Sequence, residues 1–156
     1  MMKNINDPKQ LLVSAIESGT VIDHIPASTL FKVIKILGLD KIKNQITFGT
    51  NLDSKTDGKK AIIKIAGKFF EDDDINRIAL VAPNAKLNII KDYKVIEKRV
   101  VSVPDTITAI AKCMNPKCIT NFENVTTRFR VISKKPVALK CHYCEKITDQ
   151  ERLEII

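Results

Sequence analysis

The sequence predicts an α+β fold in two parts, and two observations lead to this prediction. In the first hundred residues, segments rich in β-branched residues alternate with segments that have helical features. All four cysteines lie after position 112, among further short β-type segments. Between the two parts, a valine-rich stretch at 101–104 ends in a proline. We therefore place an N-terminal domain at 1–100 and a C-terminal domain at 101–156.

The first half of the N-terminal domain predicts a strand, a helix and a second strand. A β-branched run at 20–25 is closed by Pro26, which suits a strand. Apolar residues then recur at helical spacing over 30–37, with Pro26 suited to the start of this helix and Gly38 to its end. Alternation of side-chain character at 45–49 predicts the second strand.

The second half of this domain repeats the pattern after a turn at 53–58. Alternation at 61–65 predicts a strand, and the acids that open the segment 71–82 supply a cap and dipole-matched charge for a second helix, which Pro83 ends. A last strand or bent pair is expected from two further β-type runs, at 87–90 and 93–96. The order β-α-β-β-α-β is the ferredoxin-like pattern.

The C-terminal domain predicts short strands and a bound metal. β-branched residues alternate at 106–110, 126–132 and 137–140. A domain of about 50 residues buries little core, so a metal would supply the missing stability. Cys113, Cys118, Cys141 and Cys144 form two close pairs 22 residues apart, with the spacings C-x4-C and C-x2-C. Each short loop can aim two sulfurs at one point, which predicts one structural zinc ion held by four thiolates.

Two other interpretations of these cysteines are open. Two disulfides would use the same four residues, but the N-terminus has no apolar region typical of secretion, and disulfides are rare in cytoplasmic proteins. His142 lies between the last two cysteines and could replace one of them as a ligand. With four thiolates available, we expect His142 to be an exposed residue of the loop.

Composition narrows the class of protein. Of the 156 residues, 44% are hydrophobic, and no apolar run approaches a membrane span, so we expect a soluble, cytoplasmic protein without a membrane partner. The 26 basic and 18 acidic residues give a net charge of +8, which favours anionic ligands and raises nucleic-acid binding as an alternative.

A zinc ribbon joined to an RNA-recognition-type sheet would share the predicted element order. Such sheets stack bases on aromatic residues, but the strand at 61–66 has none, so we expect no nucleic-acid partner. A zinc enzyme is a further alternative, but the chain lacks a His/Glu ligand set or a catalytic constellation.

Two features together resemble a known family. The segment GTVIDHIPA at 19–27 precedes the ferredoxin-like pattern, and the four-cysteine module follows it. This combination is similar to the regulatory chain of aspartate carbamoyltransferase, an enzyme of early pyrimidine synthesis. The resemblance covers 11–147, and further similar segments are QITFG at 45–49, IIKI at 62–65, NII at 88–90 and LKCHYCEK at 139–146.

The resemblance implies a non-catalytic chain that binds nucleoside triphosphates in its N-terminal domain and docks on catalytic trimers through its zinc domain. It also implies that regulatory dimers bridge two trimers into a dodecamer, that CTP inhibits, that ATP activates and that UTP is a further candidate effector. By resemblance, the base and ribose wall is Val13, Ala15, Ile16 and Val21. The rest of the nucleotide pocket is Asp23, His24, Ile62, Lys64, Asn88, Ile90, Tyr93, Val95 and Lys98, with Lys60 close to a second nucleotide position.

The chemistry of these residues suits that role. A triphosphate needs cations and neutral donors, which Lys64, Lys98 and Asn88 can provide. Asp23 can accept hydrogen bonds from ribose hydroxyls, and backbone groups near Ile16 and Tyr93 would have to read the base edge.

Some positions differ from the family. By resemblance, Ser14 and Thr56 each stand where the family has an acidic residue, so we expect the relative response to CTP and ATP to depend on these two positions. At the docking surface, Asn115, Glu145 and Lys146 match the family, whereas Lys117 replaces an asparagine. We therefore expect the docking loops to be kept with altered charge pairing.

Overall fold

A five-stranded antiparallel sheet forms the N-terminal part of the computed structural model, which describes residues 15–55 and 58–156. Its spatial order is β2-β3-β1-β4-β5, so the first four strands follow the ferredoxin-like arrangement and β5 extends it by one strand. The predicted fold class is confirmed. The elements are β1 (Gly19–Pro26), α1 (Leu30–Ile36), β2 (Ile46–Ser54), β3 (Gly58–Ala66), α2 (Asp72–Asn76), β4 (Lys86–Lys91) and β5 (Lys94–Val100).

The helical segments cover one face of this sheet because its strands alternate buried and less buried residues. Ile22 of β1 and Ile63 and Ile65 of β3 are fully buried in one cluster with Leu30 and Val33 of α1. Helix α1 ends as the sequence predicts, since Gly38 adopts a left-handed φ of 64° and its N–H donates to the Lys35 carbonyl over 3.1 Å. The other face of the sheet carries more polar residues.

Two sequence predictions in this domain are wrong in extent. The second helix is α-helical only over five residues and continues as a 3₁₀ turn at Arg77–Leu80, and Glu71 makes no side-chain cap hydrogen bond. Five consecutive residues from Ile78 are buried, so packing on several sides replaces the one-sided contact of an amphipathic helix. The predicted turn at 53–58 is also too long, because Asp53 and Ser54 pair with Lys59 and Gly58 in a continued β2–β3 ladder.

The C-terminal part is a four-stranded antiparallel sheet in sequence order. Its strands are β6 (Thr106–Thr108), β7 (Arg128–Lys134), β8 (Val137–Cys141) and β9 (Ile147–Asp149). The last of these was not predicted, and β6 ends earlier than expected because Ala109 has a φ of 68°. Phe129 and Leu139 are buried at the centre of this sheet.

The two parts contact each other through the linker and the end of the chain. Val101 and Val103 of the linker are buried, and the Ser102 N–H donates to the Asn76 side chain over 3.3 Å. Ile155 is also buried, and its carbonyl accepts a hydrogen bond of 3.4 Å from Nζ of Lys35 in α1. Among residues 15–55 and 58–156, no helix is long and apolar enough to span a membrane.

Candidate metal centre and binding face

The four cysteines meet at one point, as the spacing predicts. Their sulfurs all lie within 4.8 Å of one another, although Cys113 and Cys144 are 31 residues apart in the chain. The Sγ atoms of Cys113 and Cys144 are 3.6 Å apart, and those of Cys118 and Cys141 are 3.7 Å apart. Ligands at about 2.3 Å from a tetrahedral metal ion would be about 3.8 Å apart, so these two spacings fit a bound metal.

Hydrogen bonds hold the first cysteine loop in shape. The Asn115 carbonyl accepts from the Cys118 N–H over 3.0 Å, and the Asn115 side chain accepts from the Lys117 N–H over 3.0 Å. From beyond the loop, the Asn121 side chain donates to the carbonyls of Cys113 and Asn115 over 3.1 and 2.7 Å. The backbone thereby fixes the direction in which both sulfurs point.

The second cysteine loop closes the end of β8. The Cys141 carbonyl accepts from the Glu145 N–H over 3.1 Å, and the Cys141 N–H donates to the Lys146 carbonyl over 2.9 Å. Glu145 reaches this turn through a left-handed φ of 62°. His142 is exposed, packs edge-on against the Tyr143 ring and lies outside the sulfur cluster, as expected from the sequence.

The thiols of the cluster differ in their proton affinity. Burial raises the pKa of Cys113 and of Cys141 above the ordinary thiol value. Burial acts in the same direction on Cys144, but hydrogen bonds from the Lys146 backbone and the Asn115 side chain outweigh it and lower the Cys144 pKa to about 7. A metal ion favours the thiolate form of every ligand, so its binding would displace the protons that burial retains.

A second candidate site lies on the sheet face opposite the helices. The strand register places Lys64 of β3 opposite Val21 of β1, Val21 opposite Asn88 of β4, and Asn88 opposite Lys98 of β5. Residues directly opposite each other in a ladder share a face, so these four side chains form one row across four strands. Two lysines thus flank an apolar and an amide side chain.

A distortion of β1 sets the polar end of this face. The register shifts between Ile22 and Ile25, and His24 there has a φ of 59°. The Asp23 carboxylate accepts from the His24 N–H over 2.6 Å and pairs with Nζ of Lys60 over 2.9 Å. The negative charge of Asp23 is therefore already balanced by a neighbouring strand.

The other end of the face is more apolar. Gly19 of β1 lies opposite Ile90, and Ile90 lies opposite Val95 of β5. Tyr93 is exposed in the β4–β5 turn with a φ of 64°, and its N–H donates to the Glu17 carbonyl over 2.9 Å. This N–H is therefore occupied by the segment that leads into β1.

The predicted binding residues fall into three groups by position. A cleft of about 400 Å³ is lined by four of them, Asp23, His24, Asn88 and Lys98. The same cleft is lined by Lys86, Arg99 and Val100, which sequence reasoning missed. Ile62 is half-buried on the same face of β3 as Lys60 and Lys64. Before β1, Ile16 is half-buried and Ala15 is exposed. Val13, Ser14 and Thr56 lie outside the described residues.

Comparison with known proteins agrees with this two-site architecture. The sequence-family model described as aspartate carbamoyltransferase regulatory chain, allosteric domain, matches residues 11–102. A second family model, described as aspartate carbamoyltransferase regulatory chain, metal binding domain, matches residues 105–154. The chain belongs to the aspartate carbamoyltransferase regulatory chain family. It is therefore a regulatory, non-catalytic chain with an allosteric and a metal-binding domain.

Curated regulatory chains resemble this protein over almost their whole length. The aspartate carbamoyltransferase regulatory chain of Bacteroides fragilis is 56% identical over 153 residues, which are 97% of this chain and 100% of the relative. That of Parabacteroides distasonis is 55% identical, with 94% of this chain and 96% of the relative covered. The archaeal regulatory chain of Pyrococcus horikoshii is 53% identical, with 92% and 96% covered.

The residues predicted to dock the regulatory chain on a partner surround the sulfur cluster. Lys117, Glu145 and Lys146 are exposed on the two cysteine loops, whereas Asn115 is half-buried and already bonds within its own loop. Both loops lie in one surface region because their four sulfurs meet in one cluster. Docking through these side chains stays a prediction.

Proposed function

We propose that residues 1–100 bind nucleoside triphosphates and that residues 101–156 hold a zinc ion and dock on the catalytic chains of aspartate carbamoyltransferase. The row of Lys64, Val21, Asn88 and Lys98 is the observation that supports nucleotide binding best. Its lysines supply positive charge for phosphates, while the exposed Val95, opposite the buried Ile90, offers apolar area for a base. Membership in the family supports CTP as an inhibitor and ATP as an activator, with UTP as a further candidate.

Zinc is the metal we propose for the four-cysteine cluster. Four thiolates in a tetrahedron suit zinc or an iron–sulfur centre, and a regulatory chain needs a redox-inert ion that only shapes the domain. The two exposed cysteine loops would then form the docking surface for catalytic trimers, with Lys117, Glu145 and Lys146 at its contact. Metal analysis of protein purified without chelator tests this assignment, and one zinc per chain is expected.

The path between the two sites follows β5. Lys98 lies two residues before the end of β5, and the chain then enters the buried linker residues Val101 and Val103. A phosphate held by Lys98 would favour one arrangement of this linker. The nucleotide can shift the assembly between its two conformational states only by the difference in its binding free energy for those states, typically about 1–3 kcal/mol.

We also propose that this chain forms a regulatory dimer through its N-terminal domain. The sheet has two edges, β2 and β5, and an edge strand is commonly covered by a second copy. The exposed rings of Phe31 and Phe48 meet edge-on beside β2, with 6.1 Å between ring centroids. Light scattering of the isolated chain should therefore give a dimer mass, and a monomer at high micromolar concentration would contradict the dimer.

Calorimetric titration with CTP and ATP tests the nucleotide proposal. Lys64→Ala and Lys98→Ala should each weaken binding, whereas Lys41→Ala is a matched control, because Lys41 is an exposed lysine beside α1 on the helical side of the sheet. In the assembly with catalytic trimers, the two variants should also lose the nucleotide effect on aspartate saturation while keeping their metal and their assembly. Normal CTP affinity in both variants would refute the assignment of the pocket.

A further inference from the structure

Lys86 lies on the sheet face that carries Lys64, Val21, Asn88 and Lys98, which we call the binding face. The family motif does not include Lys86. It is the first residue of β4 and is exposed. The register places it opposite Asp23 of β1 and opposite Val100 of β5, and it lines the same cleft as His24 and Lys98. Because Lys86 precedes Asn88 by two residues on one strand, both side chains lie on the binding face.

Among residues 15–55 and 58–156, Lys86 forms no ion pair, so its charge is available to a ligand. The carboxylate opposite it, Asp23, pairs with Lys60 over 2.9 Å and accepts the His24 N–H over 2.6 Å. Arg99 also lines the cleft, but it lies opposite the buried Leu87, and its guanidinium pairs with Asp72 over 2.6 Å and with Glu97 over 2.9 Å. Lys86 and Lys98 are therefore the two cleft lysines that can form ion pairs with a bound anion.

The order of residues along β4 assigns a direction to a bound nucleotide. Ile90 lies at the apolar end beside Gly19 and Val95, Asn88 lies in the row that contains Lys98, and Lys86 lies beyond that row. Four residues of a strand span about 13 Å. A nucleotide with its base at Ile90 and its first phosphate near Asn88 would reach Lys86 only with its terminal phosphates.

We propose that Lys86 binds the terminal phosphates of the effector and makes this chain prefer nucleoside triphosphates over monophosphates. The inference rests on the proposed nucleotide site and adds to it the residue that reads the length of the phosphate chain. A lysine suits this place because its ammonium group is a mobile point charge that follows a flexible phosphate. A phosphate bound there would also lie between β1, β4 and β5 at the end of the sheet from which the linker departs.

Titration calorimetry of the full chain with CTP and with CMP tests the proposal. Lys86→Ala should weaken CTP binding about tenfold, which corresponds to about 1.4 kcal/mol, and should change CMP binding less than about twofold. Lys86→Arg keeps the charge and should retain the preference for CTP. Lys91→Ala is the matched control on the same strand, because its ammonium group lies over the Phe69 ring, 5.7 Å from the centroid, and it should change neither affinity.

The outcomes separate this inference from the proposed function. If the unsubstituted chain binds CTP tightly and Lys86→Ala keeps the same CTP-to-CMP affinity ratio, the role of Lys86 is overturned and the nucleotide site stands. An equal loss for both ligands also overturns it, because that result would mean a general effect of charge. If the unsubstituted chain binds neither ligand, the nucleotide site itself is wrong.

Discussion

Removing the metal should unfold the C-terminal domain and leave the N-terminal sheet folded. Three of the four sulfur ligands, those of Cys113, Cys118 and Cys141, belong to residues that are 1% exposed. The cluster ties the loop after β6 to the end of β8, and the buried Phe129 and Leu139 pack beside it. Without the ion, the hydrogen bonds within each cysteine loop would remain, but the bonds through the sulfurs that join the two loops would be lost.

The expected magnitude follows from the size of the domain. About 50 residues at roughly 0.05–0.15 kcal/mol per residue give a net stability of about 3–8 kcal/mol. Metal binding to small zinc domains supplies about 10–16 kcal/mol at neutral pH. Loss of the metal would therefore remove more than the whole net stability. The N-terminal sheet has its own buried residues, such as Ile22, Ile63 and Leu87, and does not depend on the metal.

Hydrogen exchange followed by mass spectrometry measures both domains in one sample. After removal of the metal, amides of β7 and β8 should exchange freely, and amides of β1 and β3 should stay protected. Cys118→Ser should behave like the metal-free protein. The control His142→Ala, in the same loop region but outside the sulfur cluster, should keep its metal and its protection.

Retained protection of β7 and β8 in protein shown to be free of metal would refute this reasoning. It would mean that the apolar residues of the small sheet suffice for folding. Loss of protection in β1 together with β7 would also contradict it, because the two domains would then unfold as one unit.

Three further predictions concern stability and can be checked by thermal or denaturant unfolding. Gly19→Ala should strongly destabilise the N-terminal domain, since a Cβ there would lie 2.1 Å from the Ile65 carbonyl oxygen at a φ of 136°. The control Gly38→Ala meets no atom within 4 Å and should cost about 1–2 kcal/mol, because its φ of 64° is left-handed. Ile63→Ala should cost about 2–5 kcal/mol because Ile63 is fully buried, and the half-buried Ile62→Ala should cost less. Thr127→Val should cost about 1–3 kcal/mol, because the Thr127 hydroxyl donates a buried hydrogen bond of 2.7 Å to the Ala111 carbonyl, which the substitution leaves unpaired.

Local sequence determined the elements whose signals are short-range. The C-x4-C and C-x2-C spacings sufficed to predict the sulfur cluster, because a tight loop leaves little choice about where two sulfurs point. Gly38 ended α1 where expected, since a left-handed residue ends a helix whatever packs around it. The strands β1, β3 and β8 were also predicted from local signals: a β-branched run closed by Pro26 for β1, alternation for β3, and branched residues with alternation for β8.

Elements that depend on distant partners were decided by the tertiary structure. The second helix is short because residues from Ile78 onward are buried on several sides, which a single helical period does not describe. Strand β9 was missed because its residues become a strand only by pairing with β8. The length of β2 depended in the same way on its ladder with β3.

The binding face shows the division most clearly. The sequence alone determined which residue types were present, and the family motif named Lys64, Asn88 and Lys98 as candidates. Only the register placed them in one row with Val21, and only the register brought Lys86 opposite Asp23 in the same cleft. A strand specifies its own alternation of faces, but the alignment of one strand with the next is fixed by contacts between residues far apart in the chain.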